Sequence, residues 1–233
     1  MLDISYPSNN KKNKTVSFDE SCLYVGQPLD NIYARTKFEA ETLLLDSICE
    51  GLDAYILRMG NLMPRFRDGI FQENILSNEF VNKVLSFMKL KIFPDYLLNL
   101  NLNFTPIDQA SKAIYKLITH PNNTNRIFHL CNNTIIKAEK LLKIMKKLDC
   151  NIDILPEKKF QNRINNILEK NLNKDATKNI INDFNNDLHL EYKSDIIIKS
   201  DITNKYLKKR FFKWKKINNN YLIRFVNLLK KEL

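Results

Sequence analysis

Glycine is scarce in this chain. There are four in 233 residues, Gly26, Gly51, Gly60 and Gly69, and none stands in a G-x-G-x-x-G. A dinucleotide site needs that run, because the pyrophosphate must approach backbone N–H groups at a helix N-terminus with no Cβ in the way. The sequence therefore carries no cofactor-phosphate fingerprint of its own. Cysteine is equally sparse: Cys22, Cys49, Cys131 and Cys150 lie far apart with no C-x-x-C. That spacing excludes a zinc knuckle and a dense disulfide framework, and points to reduced structural thiols. No run approaches 18 consecutive apolar residues, and the N-terminus lacks the basic, apolar, small-residue order of a signal peptide. The expectation is a cytoplasmic protein without a membrane span.

Positive charge is abundant, with 37 Lys and Arg against 26 Asp and Glu, a formal net charge of +11. An excess of that size suits a nucleic acid, an anionic surface or an acidic protein partner. Much of it is spread through a sequence rich in Lys, Asn and Ile. The concentrated run is residues 205–216, Lys-Tyr-Leu-Lys-Lys-Arg-Phe-Phe-Lys-Trp-Lys-Lys. Basic residues interleaved with aromatics serve single-strand nucleic-acid binding. They also describe a helix with a solvated basic face over a buried aromatic seam.

Hydrophobic spacing organises the rest of the chain. Gly26-Gln27-Pro28 reads as a turn. Residues 29–50 place Ile32, Phe38, Ala40, Leu43, Leu44 and Ile48 at helical spacing, with Asp30 or Asn31 as N-cap and Gly51 as the C-terminal stop. Residues 53–59 form a short apolar run closed by Gly60-Asn61, the pattern of a buried parallel strand. An amphipathic helix follows over about 78–90. Residues 98–104 alternate apolar residues with Asn, as an exposed strand would. Asp108 is placed to cap a helix running to about Thr119, and residues 126–130 read as a second short strand. Beyond residue 135 the pattern is mainly helical, with segments over about 157–185 and 201–230 and connectors at 171–174 and 218–220.

Within the first helix, Tyr33 and Lys37 stand four residues apart, about one turn, so their side chains share a face. An ammonium group beside a phenol favours the charged oxygen and suits it to proton exchange with a substrate. With nine tyrosines and 37 Lys and Arg, a basic residue four after some tyrosine arises about once by chance; Tyr206 and Arg210 are another such pair. Context has to decide.

That context is an ordered series: Gly26-Gln27; Tyr33-Ala-Arg-Thr-Lys37 with Glu39-Ala40-Glu41; Gly51-Leu52; Arg58-Met59-Gly60-Asn61; Thr105-Pro106-Ile107-Asp108; and Ile127-Phe128-His129-Leu130. The series resembles the second half of an extended short-chain dehydrogenase/reductase. Within that superfamily it is most similar to the thioester reductase domains of nonribosomal peptide and polyketide synthetases and of carboxylic acid reductases. Arg58-x-Gly60-Asn61, Trp214 and Tyr221-Leu222 favour that branch over sugar epimerases. The resemblance covers residues 17–130 well and 200–225 loosely, and departs at Phe211-Phe212, where the family tends to Gly-Phe.

The resemblance implies an α/β fold: the C-terminal part of a Rossmann-like parallel sheet in residues 1–133, with 63–103 as an inserted substrate-region segment, then a mainly helical substrate-binding region in 134–233. It implies Tyr33 as proton donor to the developing oxyanion and Lys37 as holder of the nicotinamide ribose, with NADPH or NADH as cofactor. Gly60 and Asn61 would line the nicotinamide or substrate pocket. The family's substrate-holding serine or threonine falls at or before the start of the chain, with Ser5 nearest and Ser8 and Thr15 next. The missing nucleotide-binding portion would be on the order of 100–150 residues, and without it the chain is expected to be inactive. The implied partner is a phosphopantetheinyl carrier protein bearing an acyl thioester. A nucleotide-sugar epimerase or dehydratase of the same superfamily, and a basic helical module binding nucleic acid, are the alternative readings.

Overall fold

The structure is a computed structural model, and it describes residues 16–26, 29–30, 32–120, 126–170, 176, 180 and 196–233. Ten strands occur among these residues. They are β1 (Val16–Phe18), β2 (Ile56–Met59), β3 (Leu62–Met63), β4 (Ile92–Pro94), β5 (Asn101–Leu102), β6 (Thr105–Pro106), β7 (Ile127–Leu130), β8 (Ile136–Lys137), β9 (Asp153–Leu155) and β10 (Ile196–Ile198). The α-helices are α1 (Ile32–Cys49), α2 (Glu79–Leu90), α3 (Ile107–Ile118), α4 (Ala138–Lys147), α5 (Glu157–Glu169), α6 (Asp201–Lys209) and α7 (Asn219–Lys230). Short 3-10 turns span Ile75–Ser77 and Asp95–Leu97. The α/β class with parallel strand pairs is the one the sequence indicated.

The chain divides into two compact units. The first takes the described residues of Met1–Leu62, Thr105–Asn133 and Lys193–Lys215; the second takes those of Met63–Phe104, Thr134–Tyr192 and Lys216–Leu233. Residues 196–215 thus return to the first unit, where β10 pairs in parallel with β1, Val16 opposite Ile196 and Phe18 opposite Ile198.

In the first unit β2 and β7 run parallel, with Ile56 opposite Ile127 and Met59 opposite Leu130. Parallel neighbours require a crossover, and here it includes α3. Gln109, Ala110, Ala113 and Leu117 of α3 recur at helical spacing and are buried. Ala113 and Leu117 pack with Phe128, Leu130, Leu207 and Phe212 into one apolar cluster. Helix α1 ends where Gly51 turns to φ +108, with Gly51 N–H donating to Ile48 O and Leu52 N–H to Ser47 O. This pair of bonds satisfies the last free carbonyls, and the left-handed residue between them carries no Cβ penalty when it is glycine.

The second unit is built on aromatic packing. Phe104 is fully buried and meets Phe80, Tyr221 and Phe225 edge-on at 5.5, 6.1 and 5.3 Å. The Tyr221 hydroxyl donates to Pro64 O at 2.8 Å, so the polar tip of this buried ring is satisfied. A second parallel pair, β4 with β9, borders a cluster of Leu90, Ile92, Phe160 and Ile164.

Three local expectations are corrected. Helix α3 begins after its N-cap Pro106, so Asp108 lies in the first turn and not at the N-cap; from there its Oδ1 accepts from the free Gln109 N–H at 3.0 Å and its charge favours the helix dipole. Residues 98–104 are extended only at Asn101–Leu102, because the preceding chain coils into 3-10 turns, Leu98 N–H to Asp95 O and Leu100 N–H to Leu97 O. Residues 218–220 are no connector: Asn218 is the N-cap of α7, its Oδ1 accepting from Tyr221 N–H at 2.9 Å, which is what asparagine does best at a helix start. Of the two N-caps considered for α1, Asn31 lies outside the described residues.

Candidate active site

Tyr33 occupies the second position of α1 and is 48% exposed. Lys37 reaches back one turn, its Nζ 5.5 Å from the centre of the Tyr33 ring. A phenol and an ammonium group are therefore held on one helix face, open to solvent. The helix itself is fastened elsewhere. None of its 18 residues is buried, and Ile32 and Leu43 are 70% and 69% exposed.

Phe38 meets the Tyr24 ring edge-on at 5.9 Å, and the polar fastening is Glu41. Both of its carboxylate oxygens accept from Arg58 of β2, from Nε at 3.2 and 3.0 Å and from Nη2 at 2.7 Å. Glu41 is eight residues from Tyr33, about 12 Å along the helix axis, so the pair pins α1 two turns beyond the tyrosine. The Arg58 side chain is 2% exposed and Glu41 23%. A guanidinium so desolvated is tolerated because its donors are used: the remaining Nη1 lies 2.9 Å from His129 Nε2 on β7. His129 Nδ1 lies 2.6 Å from Lys199 O. An acceptor at Nε2 and a donor at Nδ1 define a neutral imidazole with its proton on Nδ1. Burial holds the His129 pKa below its ordinary value, and Arg58 adds to this against the opposing pull of the Lys199 carbonyl, Glu20 and Glu41.

Around this core, the Phe18 ring stacks on His129 at 5.4 Å with the Arg58 guanidinium 4.8 Å from its centre. Glu20, 1% exposed, accepts from Thr203 N–H at 2.8 Å, and Thr203 Oγ1 accepts from His129 N–H at 2.8 Å. Strands β1, β2 and β7 and helices α1 and α6 thus meet at one buried polar cluster. Arg58, Glu41 and His129 all lie in the motifs that carried the resemblance, yet the sequence assigned them no role. The signal was present as a glutamate eight after the tyrosine and an arginine in an apolar strand.

Gly60 and Asn61 follow β2 and are fixed by other contacts. Gly60 N–H donates to Leu130 O at 3.0 Å, and Asn61 O accepts from Thr105 N–H at 2.9 Å. These bonds hold the loop at the C-terminal ends of β2 and β7, the edge at which open α/β sheets bind ligands. Ser5, Ser8 and Thr15 lie outside the described residues. Cys131, directly after β7, is buried, which pushes its thiol up to about 11 and leaves it inert.

A family model described as male sterility protein, an NAD-binding family, matches residues 4–114. Among solved structures, a thiolation-reductase di-domain from an archaeal nonribosomal peptide synthetase is 28% identical, with a TM-score of 0.80. The match covers 98% of this chain and 46% of that one. The chain has the fold of an extended short-chain dehydrogenase/reductase of the thioester reductase type. The reductase domain of the aureusimine biosynthetic cluster is also similar, at 24% identity and TM-score 0.77, over 93% of this chain and 55% of its own. The terminal reductase domain of the myxalamid polyketide–nonribosomal peptide pathway gives 18% and 0.77, over 93% and 54%. The chain spans about half the length of these reductase structures. No curated protein sequence matches it. No helix among the described residues is long and apolar enough to cross a membrane.

Proposed function

We propose that this chain supplies the proton-handling and substrate-side portion of an NAD(P)H-dependent thioester reductase, which releases a carrier-bound acyl or peptidyl thioester as an aldehyde or alcohol. The observation that carries the reading is the Tyr33–Lys37 pair at the start of a helix pinned through Glu41 to a buried arginine. NAD(P)H, when bound, supplies the hydride. The chain's own residues handle the oxygen. The Tyr33 hydroxyl would donate to the carbonyl oxygen as charge develops there, and the Lys37 ammonium would hold ribose hydroxyls. The residues present fit the nicotinamide-ribose end of such a cofactor, since an ammonium group and a phenol can both bond hydroxyls. They do not supply a pyrophosphate cradle, because the four glycines are dispersed.

The nucleotide-binding portion is therefore assigned to protein outside these 233 residues, in the same or another chain. Two features support that assignment. Helix α1 has no buried residue although it carries Ile32 and Leu43, and among the described residues β2 pairs along one edge only. Such a helix face, and a strand edge open among the described residues, are what a neighbouring βαβ layer would cover. The implied substrate carrier is the phosphopantetheinyl domain, whose acidic character would suit a chain of net charge +11.

The test has two stages. Calorimetry of the purified chain with NADPH is expected to show no micromolar binding. Mixed with the nucleotide-binding portion of the archaeal reductase domain, the chain is expected to support NADPH oxidation by an acyl-pantetheine thioester, and Tyr33→Phe to reduce that rate about 10²–10⁴-fold. An unchanged rate in Tyr33→Phe, or micromolar NADPH binding by the chain alone, would overturn the reading.

A further inference from the structure

His129 stands in β7 between Phe128 and Leu130, and successive strand residues face opposite sides of a sheet. Phe128 and Leu130 join the apolar cluster with Ala113 and Leu117 of α3, so the imidazole lies on the other face, in the polar cluster. There it is fully buried and held from three sides. Its backbone N–H donates to Thr203 Oγ1 at 2.8 Å, its Nδ1 lies 2.6 Å from Lys199 O, and its ring stacks on Phe18. A ring so enclosed has no room to swing aside. With the Nδ1 proton spent on the carbonyl, the Nε2 lone pair is the acceptor for Arg58 Nη1 at 2.9 Å.

Arg58 lies between that lone pair and Glu41, and its two sides are unequal. His129 is 0% exposed, the Glu41 side chain 23%. A proton on Nε2 would turn the acceptor into a donor and set two cations 2.9 Å apart. With the imidazole fixed, the guanidinium has to give way on its Glu41 side. Helix α1 buries none of its 18 residues, so once that pair loosens it keeps little beyond the edge contact of Phe38 with Tyr24. Tyr33 lies two turns along the same helix from Glu41. The groups that set the proton's fate come from every element around the ring. Burial opposes it most and Arg58 of β2 adds to this, while the Lys199 carbonyl ahead of α6, Glu20 after β1 and Glu41 of α1 favour it. Asp19, beside Glu20, lies within reach of the same charge.

We infer that His129 is a positioning residue for Tyr33: as a neutral imidazole it holds Arg58 in place for Glu41, and its protonation releases helix α1 from the sheet. The inference rests on the function proposed above for the role of Tyr33 alone, since the linkage from His129 to α1 requires neither substrate nor cofactor.

The test follows amide hydrogen exchange of the full chain at pH 7.5 and 5.5, corrected for the intrinsic pH dependence of exchange, with peptides of α1 compared against those of α2 in the second unit. Burial keeps the His129 pKa low while α1 is attached, so release takes up a proton as pH falls below about 6.5. Exchange in α1 should quicken by about three- to tenfold at pH 5.5, and that in α2 should not. His129→Gln, whose Oε1 reaches about as far as Nε2 and takes up no proton in this range, should keep α1 protected at both pH values. His129→Asn, which retains a donor for the Lys199 carbonyl and loses the acceptor for Arg58, should expose α1 at both. Unchanged α1 exchange in the wild type, equal acceleration in α2, or a pH response that survives in His129→Gln would each overturn the inference. If His129→Asn does not fold, the wild-type response and its loss in His129→Gln decide. In the mixture with the archaeal nucleotide-binding portion, His129→Asn should lower kcat with KM little changed, and His129→Gln should restore it. Tyr33→Phe turning over at the wild-type rate while acid still releases α1 would end the catalytic reading and leave the linkage through His129 standing, so the two fail separately.

Discussion

Replacing Glu41 by alanine should cost more stability than replacing its partner Arg58 by methionine, although the two substitutions delete the same ion pair. The asymmetry follows from burial. Glu41 is 23% exposed and Arg58 2%. Removing the carboxylate leaves a guanidinium deep in the first unit with two of its three donor nitrogens unmatched, since only Nη1 keeps a partner, His129. Breaking a buried pair in this way costs about 3–5 kcal/mol. In Arg58→Met the charge leaves with the side chain, the methionine fills similar volume, and Glu41 can turn to water. The residual cost is the unmet His129 Nε2 acceptor, about 1–3 kcal/mol. For a chain of this length each kcal/mol moves the melting temperature by about 2–4 °C. Glu41→Ala should therefore fall by roughly 6–20 °C and Arg58→Met by roughly 2–12 °C, with the gap visible in one laboratory's matched calorimetric scans. A double variant should melt close to Arg58→Met, because the penalty of Glu41→Ala lies in the stranded arginine. Equal falls in the two single variants, or a double variant equal to their sum, would refute the view that the arginine's burial sets the energetics and that Glu41 is what holds α1, and with it Tyr33, to the sheet.

Stability should also fall on mild acidification because of His129. Its folded-state pKa is lowered, chiefly by burial, so the contribution is fully present above the unfolded value of about 6.5 and is lost as pH drops below it, the unfolded chain binding the proton first. Thermal scans from pH 7.5 to 5.5 should show a decline that is shallower in His129→Gln. A thiol reagent at pH 8 should label exposed Cys49 first and leave Cys131 unreacted until denaturant is added, given its burial and a thiol pushed up to about 11; rapid labelling of Cys131 under native conditions would contradict the structure there. Gly69→Ala should destabilise the second unit by about 1–2 kcal/mol. Gly69 sits at φ +78, and an added Cβ would come 3.2 Å from the Arg224 Cβ, which packing cannot easily yield because Arg224 Nη2 donates to Phe66 O at 2.6 Å.

The elements that a sequence shows best are those whose contacts are local. Helix α1 over 32–49 and its stop at Gly51, α2 over 79–90, and strands β2 and β7 all fall within a few residues of where periodicity and glycine placed them. The strands that periodicity missed are two or three residues long, and some are paired across great separations: β1 with β10, Val16 opposite Ile196, and β4 with β9, Ile92 opposite Asp153. A segment so short has no period to read, and its identity as a strand exists only once the partner arrives.

The Tyr33–Lys37 spacing shows the same limit from the side of chemistry. Tyr206 and Arg210 repeat it, and the structure gives that pair a comparable contact, Arg210 5.1 Å from the ring centre against 5.5 Å for Lys37. Arg210, however, is buried and donates to Tyr206 O at 2.9 Å, closing the helix end, while Tyr33 is half exposed on a helix anchored eight residues away. Spacing selects both pairs equally, so what separates them is long-range: the glutamate on α1 finds an arginine on β2, which finds a histidine on β7. Each of those residues was legible as part of a motif, but their joint role was not, because no local pattern states which buried charge a surface helix is tied to.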